Sequence, residues 1–223
     1  MRPDSEIHRD VLAELRWDQR LREEDIAVAV REGVVTLAGT VDNYAQRYAC
    51  ERAVERVRGV MAVVNDLEVK LPLGTERSDS DIAHAAVNAL KADIEVPDNK
   101  IKLKVSKGWV TLEGDVEWYY QKGAAERAVR YLAGVKGVTN LITMRPSPMP
   151  ADIKHRIKEV FKRQAELDAE HITVETTAHK VTLVGSVESL AEKRAAERAA
   201  WNCPGVSIVD NQLRVTLAPV AVL

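Results

Sequence analysis

Polar residues that could carry out chemistry recur three times along the chain. Threonines stand in Val-Thr-Leu segments at Thr36, Thr111 and Thr182. Glu-Arg-Ala triplets begin at Glu51, Glu126 and Glu197. Catalysis needs a nucleophile, or an acid and a base, in one pocket that usually occurs once per protein. The recurrence instead indicates that the threonines favour strand formation. The Glu-Arg pairs are expected to form either a solvated charged face or a contact between neighbouring copies. The protein is therefore not expected to be an enzyme.

The histidines and cysteines do not predict a metal or cofactor site. The five histidines show neither an HExxH motif nor a paired Cys-His spacing. Cys50 and Cys203 occupy apolar helical positions far apart in the sequence. Such positions predict two buried, reduced thiols rather than a disulfide or a catalytic thiol. No catalytic residue, metal or cofactor is therefore expected.

Two clusters could contact a membrane surface. The first is aromatic and stands at the predicted start of a helix; it consists of Trp118, Tyr119 and Tyr120. Aromatic rings with a polar edge suit the lipid headgroup zone. The second is the basic side of a predicted amphipathic helix, made of Lys154, Arg156, Lys158, Lys162 and Arg163. Each cation near an anionic leaflet gains about 1 kcal/mol, but a helix packed on its own sheet, or aromatics packed between domains, would show the same patterns.

Length and composition place the chain among soluble globular proteins, since 46% of its 223 residues are hydrophobic and 30% are charged. Thirty-two Lys and Arg against thirty-four Asp and Glu give a net charge of −2, so nucleic acid is not an expected partner. No apolar run approaches the roughly 20 residues of a spanning helix, so no transmembrane segment is expected. Residues 1–10 contain no apolar signal region, which predicts a cytoplasmic location with at most peripheral membrane contact.

An internal repeat organises the chain. The glycine-bounded segment at 33–39 returns 75 residues later at 108–114, and 71 residues after that at 179–185. The same offsets relate Asn65, Asn140 and Asn211, which are expected to hydrogen-bond nearby backbone. Because the copies align without an internal gap, they predict three tandem domains. Their bounds are 1–70, 79–145 and 150–216, with linkers 71–78 and 146–149 and a short tail 217–223.

Apolar periodicity assigns the same elements to each copy. Ile7, Val11 and Leu15 have helical spacing, and alternating residues on either side of 32–33 predict a hairpin with a two-residue turn. The second turn residue is expected to have a positive φ, which makes His179 of the third copy a predicted left-handed residue. A second helix follows, which begins at a capping box in the first and third copies, while Trp118 breaks the box in the second. The helix ends at a glycine, and a last strand comes after it.

One face of each predicted sheet would remain uncovered if both helices packed on the other. In the first copy this face is small and apolar, and in the second it carries an indole ring. The candidate interface residues are Ala27, Ala29, Val34, Ala38 and Trp109. An exposed apolar sheet face favours docking against another copy or another chain.

These features together resemble the BON domain, named for bacterial osmotically inducible proteins and nodulation. The resemblance is carried by the Val-Thr-Leu-x-Gly strand, the alanine-rich second helix and the terminal Gly-Val-x-x-Val-x-Asn-x-Leu at 59–67 and 205–213. It implies an α+β fold of three tandem αββαβ BON-like domains, each a three-stranded sheet with two helices packed on one face. It also implies a non-enzymatic module that binds phospholipid, membrane surfaces or envelope components in osmotic or envelope stress.

Two other functions remain open. One is a protein interaction or chaperone-like scaffold that presents its sheet faces to a client. The other is a cytoplasmic ligand or ion sensor, because one cytoplasmic BON-containing family is associated with potassium. The expected partners are an anionic phospholipid surface, another protein or a second copy of this chain.

Overall fold

The computed structural model describes residues 2–145, 152–163 and 171–216, and it shows the predicted helix-strand-strand-helix-strand order in each copy. The first copy consists of α1 (Asp4–Trp17), β1 (Ile26–Arg31), β2 (Val34–Val41), α2 (Tyr44–Arg56) and β3 (Ala62–Val69). The second consists of α3 (Asp79–Ala92), β4 (Ile101–Ser106), β5 (Trp109–Val116), α4 (Tyr119–Arg130), β6 (Gly137–Asn140) and β7 (Thr143–Met144). The third consists of α5 (Ile153–Arg163), β8 (Ile172–Thr177), β9 (Lys180–Val187), α6 (Leu190–Trp201) and β10 (Ile208–Val215). The α+β fold class is confirmed.

The middle strand of each sheet is the second strand of its copy, so that β1, β4 and β8 are edge strands. In the third copy β8 and β9 are antiparallel and β9 and β10 are parallel. The last strand of the second copy was expected to be continuous but is divided into β6 and β7. Leu141 and Ile142 separate the two pieces, and the Ile142 N–H donates to the Asn140 side-chain oxygen at 3.2 Å.

The two helices of a copy pack on the same side of its sheet and bury the apolar residues there. Val35, Val110 and Val181, which occupy the same position in the repeat, are all completely buried. In the third copy, α5 contributes Ile153, Ile157 and Phe161 to a cluster that also contains Val181. The predicted repetition of one aliphatic sheet face beneath one pair of helices is therefore confirmed.

The glycine of the Val-Thr-Leu-x-Gly strand is required by a close backbone approach. In the first copy Gly39 has a φ of 131°, and a Cβ built there would collide with the carbonyl oxygen of Asp25, which directly precedes β1. Gly185 has a φ of 139° and lies in the same way against the carbonyl of His171. Because an L side chain rarely adopts such a φ, this position admits only glycine without strain.

The hairpin turns correct one prediction. Both turn residues have positive φ in the first two copies: Glu32 (50°), Gly33 (75°), Lys107 (53°) and Gly108 (79°). In the third copy Ala178 has a φ of 49°, whereas His179 does not have a positive φ. The prediction that His179 is left-handed was therefore wrong. The His179 ring nitrogen Nδ1 lies 3.1 Å from the Gly205 carbonyl oxygen, a contact that a glycine could not make.

An aspartate at the start of the first helix holds the turn in the first two copies. The Asp79 carboxylate accepts hydrogen bonds from the Lys107 and Gly108 N–H groups, each at 2.8 Å. Asp4 accepts from the two N–H groups of the first turn at 2.8 and 3.0 Å. The corresponding position of the third copy is Pro150, which cannot accept in this way and lies outside the described residues.

The chain forms two compact units. The first unit comprises Met1–Gly39, Ala49–Leu67 and Pro148–Leu223, and the second comprises Thr40–Tyr48 and Glu68–Ser147. Most of the first and third copies therefore belong to the first unit, and the second copy belongs to the second unit together with the start of α2. The predicted linker 146–149 and tail 217–223 lie outside the described residues.

Candidate binding surfaces

The basic side of α5 is exposed, as expected for a contact surface. Its apolar residues Ile153, Ile157 and Phe161 are buried in the core of the third copy. The five basic residues predicted to contact lipid or a partner are all exposed. Because the apolar stripe is already covered, α5 can meet a partner only through its charged side. None of the helices in the described part of the chain is long and apolar enough to cross a bilayer.

Two of the five cations of α5 have acidic neighbours. Arg156 pairs with Asp152 at 2.9 Å and Lys162 pairs with Glu159 at 3.1 Å. The hydrogen bond from Arg156 holds the pKa of Asp152 below its ordinary value, and Lys162 does the same to Glu159. Such exposed pairs contribute little stability. The other three cations, Lys154, Lys158 and Arg163, make no ion pair with any described residue.

The aromatic cluster lies at the start of α4, where Trp118 is the residue that caps the helix. Trp118 and Tyr120 are exposed over 44% and 49% of their surfaces, whereas Tyr119 is half-buried. The Gln121 side-chain oxygen accepts from the Trp118 N–H at 3.1 Å. Indole has no acceptor for the reciprocal bond, so only half of a capping box remains. Two of the three predicted aromatic residues can therefore meet a partner.

The uncovered face of the first sheet is present but consists of small side chains. Ala27 on β1 lies opposite Ala38 on β2, and Ala29 lies opposite Thr36. Ala27 and Ala29 are exposed, while Ala38 and Val34 are half-buried. The four candidate residues offer methyl groups only, while Thr36 adds a hydroxyl to this face and Arg31, opposite Val34, adds a charge at its end.

On the corresponding face of the second sheet, Trp109 is held in one orientation. Its ring lies over Gly137 of the neighbouring strand, where a Cβ would collide with the ring. Its Nε1–H donates to the Thr139 hydroxyl at 2.7 Å. Trp109 nevertheless remains 42% exposed, so it presents a fixed aromatic surface on this face.

A charged cluster in the first compact unit joins the first and third copies. Arg194 on α6 lies 3.0 Å from a Glu51 oxygen and also pairs with Glu55 on α2. Glu55 is only 3% exposed and is paired with Arg52 at 2.7 Å. Of the two roles left open for the Glu-Arg pairs, Glu51 takes the contact between copies, whereas the roles of Glu55 and Arg194 were missed. The sequence does hold a signal for them, because the repeat position of Glu55 carries a different residue in every copy, with Arg130 in the second and Trp201 in the third.

A second missed contact lies in the second compact unit. The Arg130 guanidinium on α4 lies over the ring of Tyr48 on α2, with its Cζ 3.4 Å from the ring centre. Arg130 is only 8% exposed. Tyr44, one helical turn before Tyr48, packs against the core of the second copy. The start of α2 therefore contributes aromatic side chains to the second copy.

The recurring asparagines are structural. In the third copy the Asn211 side chain donates to the Lys193 carbonyl at 3.2 Å and to Glu197 at 3.1 Å, and it accepts from the Leu213 N–H at 3.3 Å. Asn140 makes the same three kinds of bond in the second copy. These asparagines connect the last strand to the second helix through hydrogen bonds, and the prediction that they bond nearby backbone is confirmed.

Comparison with known proteins identifies the family of the repeated domain. The family model described as "BON domain" matches residues 3–70, 78–146 and 151–216. The chain is similar to osmotically-inducible protein Y of Escherichia coli (strain K12), with 31% identity over 141 residues that cover 61% of this chain and 70% of that protein.

Two solved structures that match the chain overlap it only weakly. The C-terminal domain of CdsD, a structural protein of the type III secretion system of Chlamydia trachomatis, is 12% identical, with 97% of this chain and 100% of that chain covered at a TM-score of 0.26. A second CdsD structure is 13% identical, with 96% and 93% covered at a TM-score of 0.27. Overlap this weak carries no argument about the arrangement of this chain. The three matches to the family model, which cover nearly all of the sequence, show that the chain belongs to the BON domain family.

Proposed function

We propose that this protein is a non-enzymatic, stress-related binding module that attaches peripherally to anionic phospholipid through the charged side of α5. The observation that carries the proposal is the set of five exposed cations on one short helix, three of which form no ion pair with a described residue. Membership of the BON family and similarity to an osmotically inducible protein support the stress-related role. The cytoplasmic location stays a prediction.

The proposed attachment is electrostatic because the apolar side of α5 is already buried. A cation near an anionic leaflet contributes about 1 kcal/mol, so a group of three to five gives reversible binding. Salt weakens such binding, since the Debye length is about 10 Å at 0.1 M ionic strength. Trp118 and Tyr120 offer a separate contact of the kind that favours the headgroup region.

The net charge of the whole chain makes the proposal testable. At −2 the protein as a whole is not attracted to an anionic surface, so attraction must come from a local group of cations. Removing those cations should abolish binding, whereas removing the same number elsewhere should not.

The experiment is co-sedimentation with phosphatidylcholine vesicles that either contain or lack phosphatidylglycerol. We expect binding only to the anionic vesicles, weakened on the order of 100-fold in a variant with Lys154→Gln, Lys158→Gln and Arg163→Gln. The matched control variant loses three other exposed cations, through Arg22→Gln, Arg31→Gln and Lys104→Gln, and should bind like the unaltered protein. Equal weakening by both variants, or no binding to anionic vesicles at low salt, would contradict the proposal.

A second candidate function is a protein interaction scaffold, which the fixed and exposed ring of Trp109 favours. Aromatic residues of this kind are enriched at the centres of protein interfaces. Sedimentation velocity over a range of protein concentrations tests the case in which the partner is a second copy. Self-association that is lost with Trp109→Ala and kept with Tyr131→Ala, which removes another exposed ring, would support this function.

A further inference from the structure

The edge strand β4 of the second copy has backbone groups that face away from its sheet. A two-residue turn joins Ser106 to Trp109, so these residues form the closing hydrogen-bonded pair of the hairpin. From this pair onward, hydrogen-bonded and non-hydrogen-bonded residue pairs alternate along β4 and β5. The N–H and C=O groups of Ile101, Leu103 and Val105 therefore point outward from β5, where they could pair with a further strand.

Beside this edge, a groove of about 600 Å³ lies between α3 and β4. Four of its lining residues have large aliphatic side chains, at Val87, Leu90, Ile101 and Leu103. The remaining lining residues are Ala83, His84, Lys91, Asp98 and Lys102. The groove is therefore lined by apolar residues together with Lys91, His84 and a single carboxylate, Asp98, whereas the side chain of Lys102 lies on the other face of β4.

The first copy shows what closes the corresponding edge. There His8 on α1 places its ring nitrogen Nε2 3.2 Å from the carbonyl oxygen of Val28 on the edge strand β1. The offset of 75 residues places Ala83 at the position of His8 and Leu103 at that of Val28. Alanine has no donor and a much smaller side chain. The edge of the second copy is therefore left open where the first copy covers its own edge.

We propose that this groove binds an extended acidic peptide segment of another protein, which adds to the sheet as a strand beside β4. Alternate side chains of an added strand point to opposite faces. Apolar side chains on one face would enter the groove, and acidic side chains on the other would lie opposite Lys102 and Lys104. These two lysines are exposed and make no ion pair with any described residue. Opposite charges on neighbouring strands are favourable, and this selects an acidic segment over a basic one.

The probe is a fluorescently labelled eight-residue peptide that alternates valine and glutamate, with binding measured by anisotropy. We expect Ala83→His, which installs the residue of the first copy, to weaken binding at least tenfold. The matched control is Asn88→His, which adds the same side chain to an exposed position of α3 outside the groove and should leave binding unchanged. A double variant with Lys102→Glu and Lys104→Glu should bind a peptide that alternates valine and lysine better than the acidic one.

Two further measurements test the strand pairing itself. N-methylation of the peptide amides that face β4 should abolish binding, whereas methylation of the alternate amides should not. Hydrogen exchange of the Leu103 and Val105 N–H groups should slow when the peptide binds, whereas that of Lys104, already bonded to β5, should not change. The proposal would be overturned if the peptide did not bind at millimolar concentration, or if the Ala83→His variant bound it as tightly as the unaltered protein. It would also be overturned if methylation of the amides that face β4 left binding unchanged. So would anionic vesicles that bind the protein through this groove and lose binding with Ala83→His.

Discussion

The Cζ atom of Arg130 lies 3.4 Å from the centre of the Tyr48 ring, which places a cation of the second copy over an aromatic residue of α2. The repeat offsets align Tyr48 with Arg194 and Arg130 with Glu55. Arg194 and Glu55 also meet, as an ion pair in the other compact unit. The same two positions of the second helix are therefore used twice to join different copies, once by a cation and a ring and once by opposite charges.

We expect the Arg130 and Tyr48 side chains to stabilise the fold jointly. The variant Arg130→Met keeps the aliphatic part and removes the charge, while Tyr48→Leu removes the ring. For a cation over a ring in a largely desolvated site, the coupling energy in a double-mutant cycle should be about 1–2 kcal/mol, measured by urea unfolding. Arg127 on the same helix is 55% exposed and pairs with Glu95, so the control cycle of Arg127→Met with Tyr48→Leu should give a coupling near zero.

The buried Glu55 carboxyl should make the stability depend on pH. Burial raises the pKa of Glu55 above its ordinary value of 4.5, although Arg194 and Arg52 oppose the rise and Glu51 adds to it. The folded protein then holds the proton more tightly than the unfolded chain. The contribution of Glu55 to the free energy of unfolding is therefore greatest below pH 4.5 and falls as the pH rises from there through the raised pKa.

The variant Glu55→Gln tests this sign. We expect the urea midpoint of the unaltered protein to fall relative to that of the variant as the pH rises across this window, since glutamine does not titrate. Glu68→Gln, at an exposed position, should follow the unaltered protein. If the urea midpoint of the unaltered protein instead rose relative to that of Glu55→Gln as the pH rises, the arginines, and not burial, would dominate the pKa of Glu55.

Asp79 should control the hairpin turn of the second copy. Removal of its carboxylate by Asp79→Ala leaves the Lys107 and Gly108 N–H groups without their acceptor, and bonds to a charged acceptor of this kind contribute about 2 kcal/mol. Amide hydrogen exchange of these two groups should accelerate in the variant. Asp79→Asn, which keeps one acceptor oxygen, should give an intermediate effect, and the exposed Glu76→Ala should have none.

The two thiols should be unreactive in the folded protein. Burial raises the pKa of Cys50 to about 12 and raises that of Cys203 above its ordinary value. Since the thiolate is the reactive form, Ellman's reagent at pH 8 should label neither residue until urea unfolds the chain. A reporter thiol introduced by Ser80→Cys at an exposed position should react at once. Rapid labelling of the unaltered, folded protein would contradict the burial of these residues.

The sequence by itself determined the repeat, the order of the elements and the buried face of each sheet. These features depend on local periodicity and on the chemistry of turns and helix caps, and both are determined by residues that are close together in the sequence. Val35, Val110 and Val181 are equally buried for this reason. The glycine of the central strand was recognised as part of the motif, but the carbonyl that it must avoid could be identified only from the fold.

Only the tertiary structure decided which side chains of different copies meet. Glu55 and Arg194 are separated by well over a hundred residues, and no periodicity within one copy indicates that they form a pair. The open groove of the second copy likewise depends on the fold, which brings His8 against the edge strand of the first copy, while Ala83 at the same position leaves the edge of the second copy free. A local pattern states which face of an element is apolar, whereas the partner of a polar side chain depends on how distant elements are brought together in space.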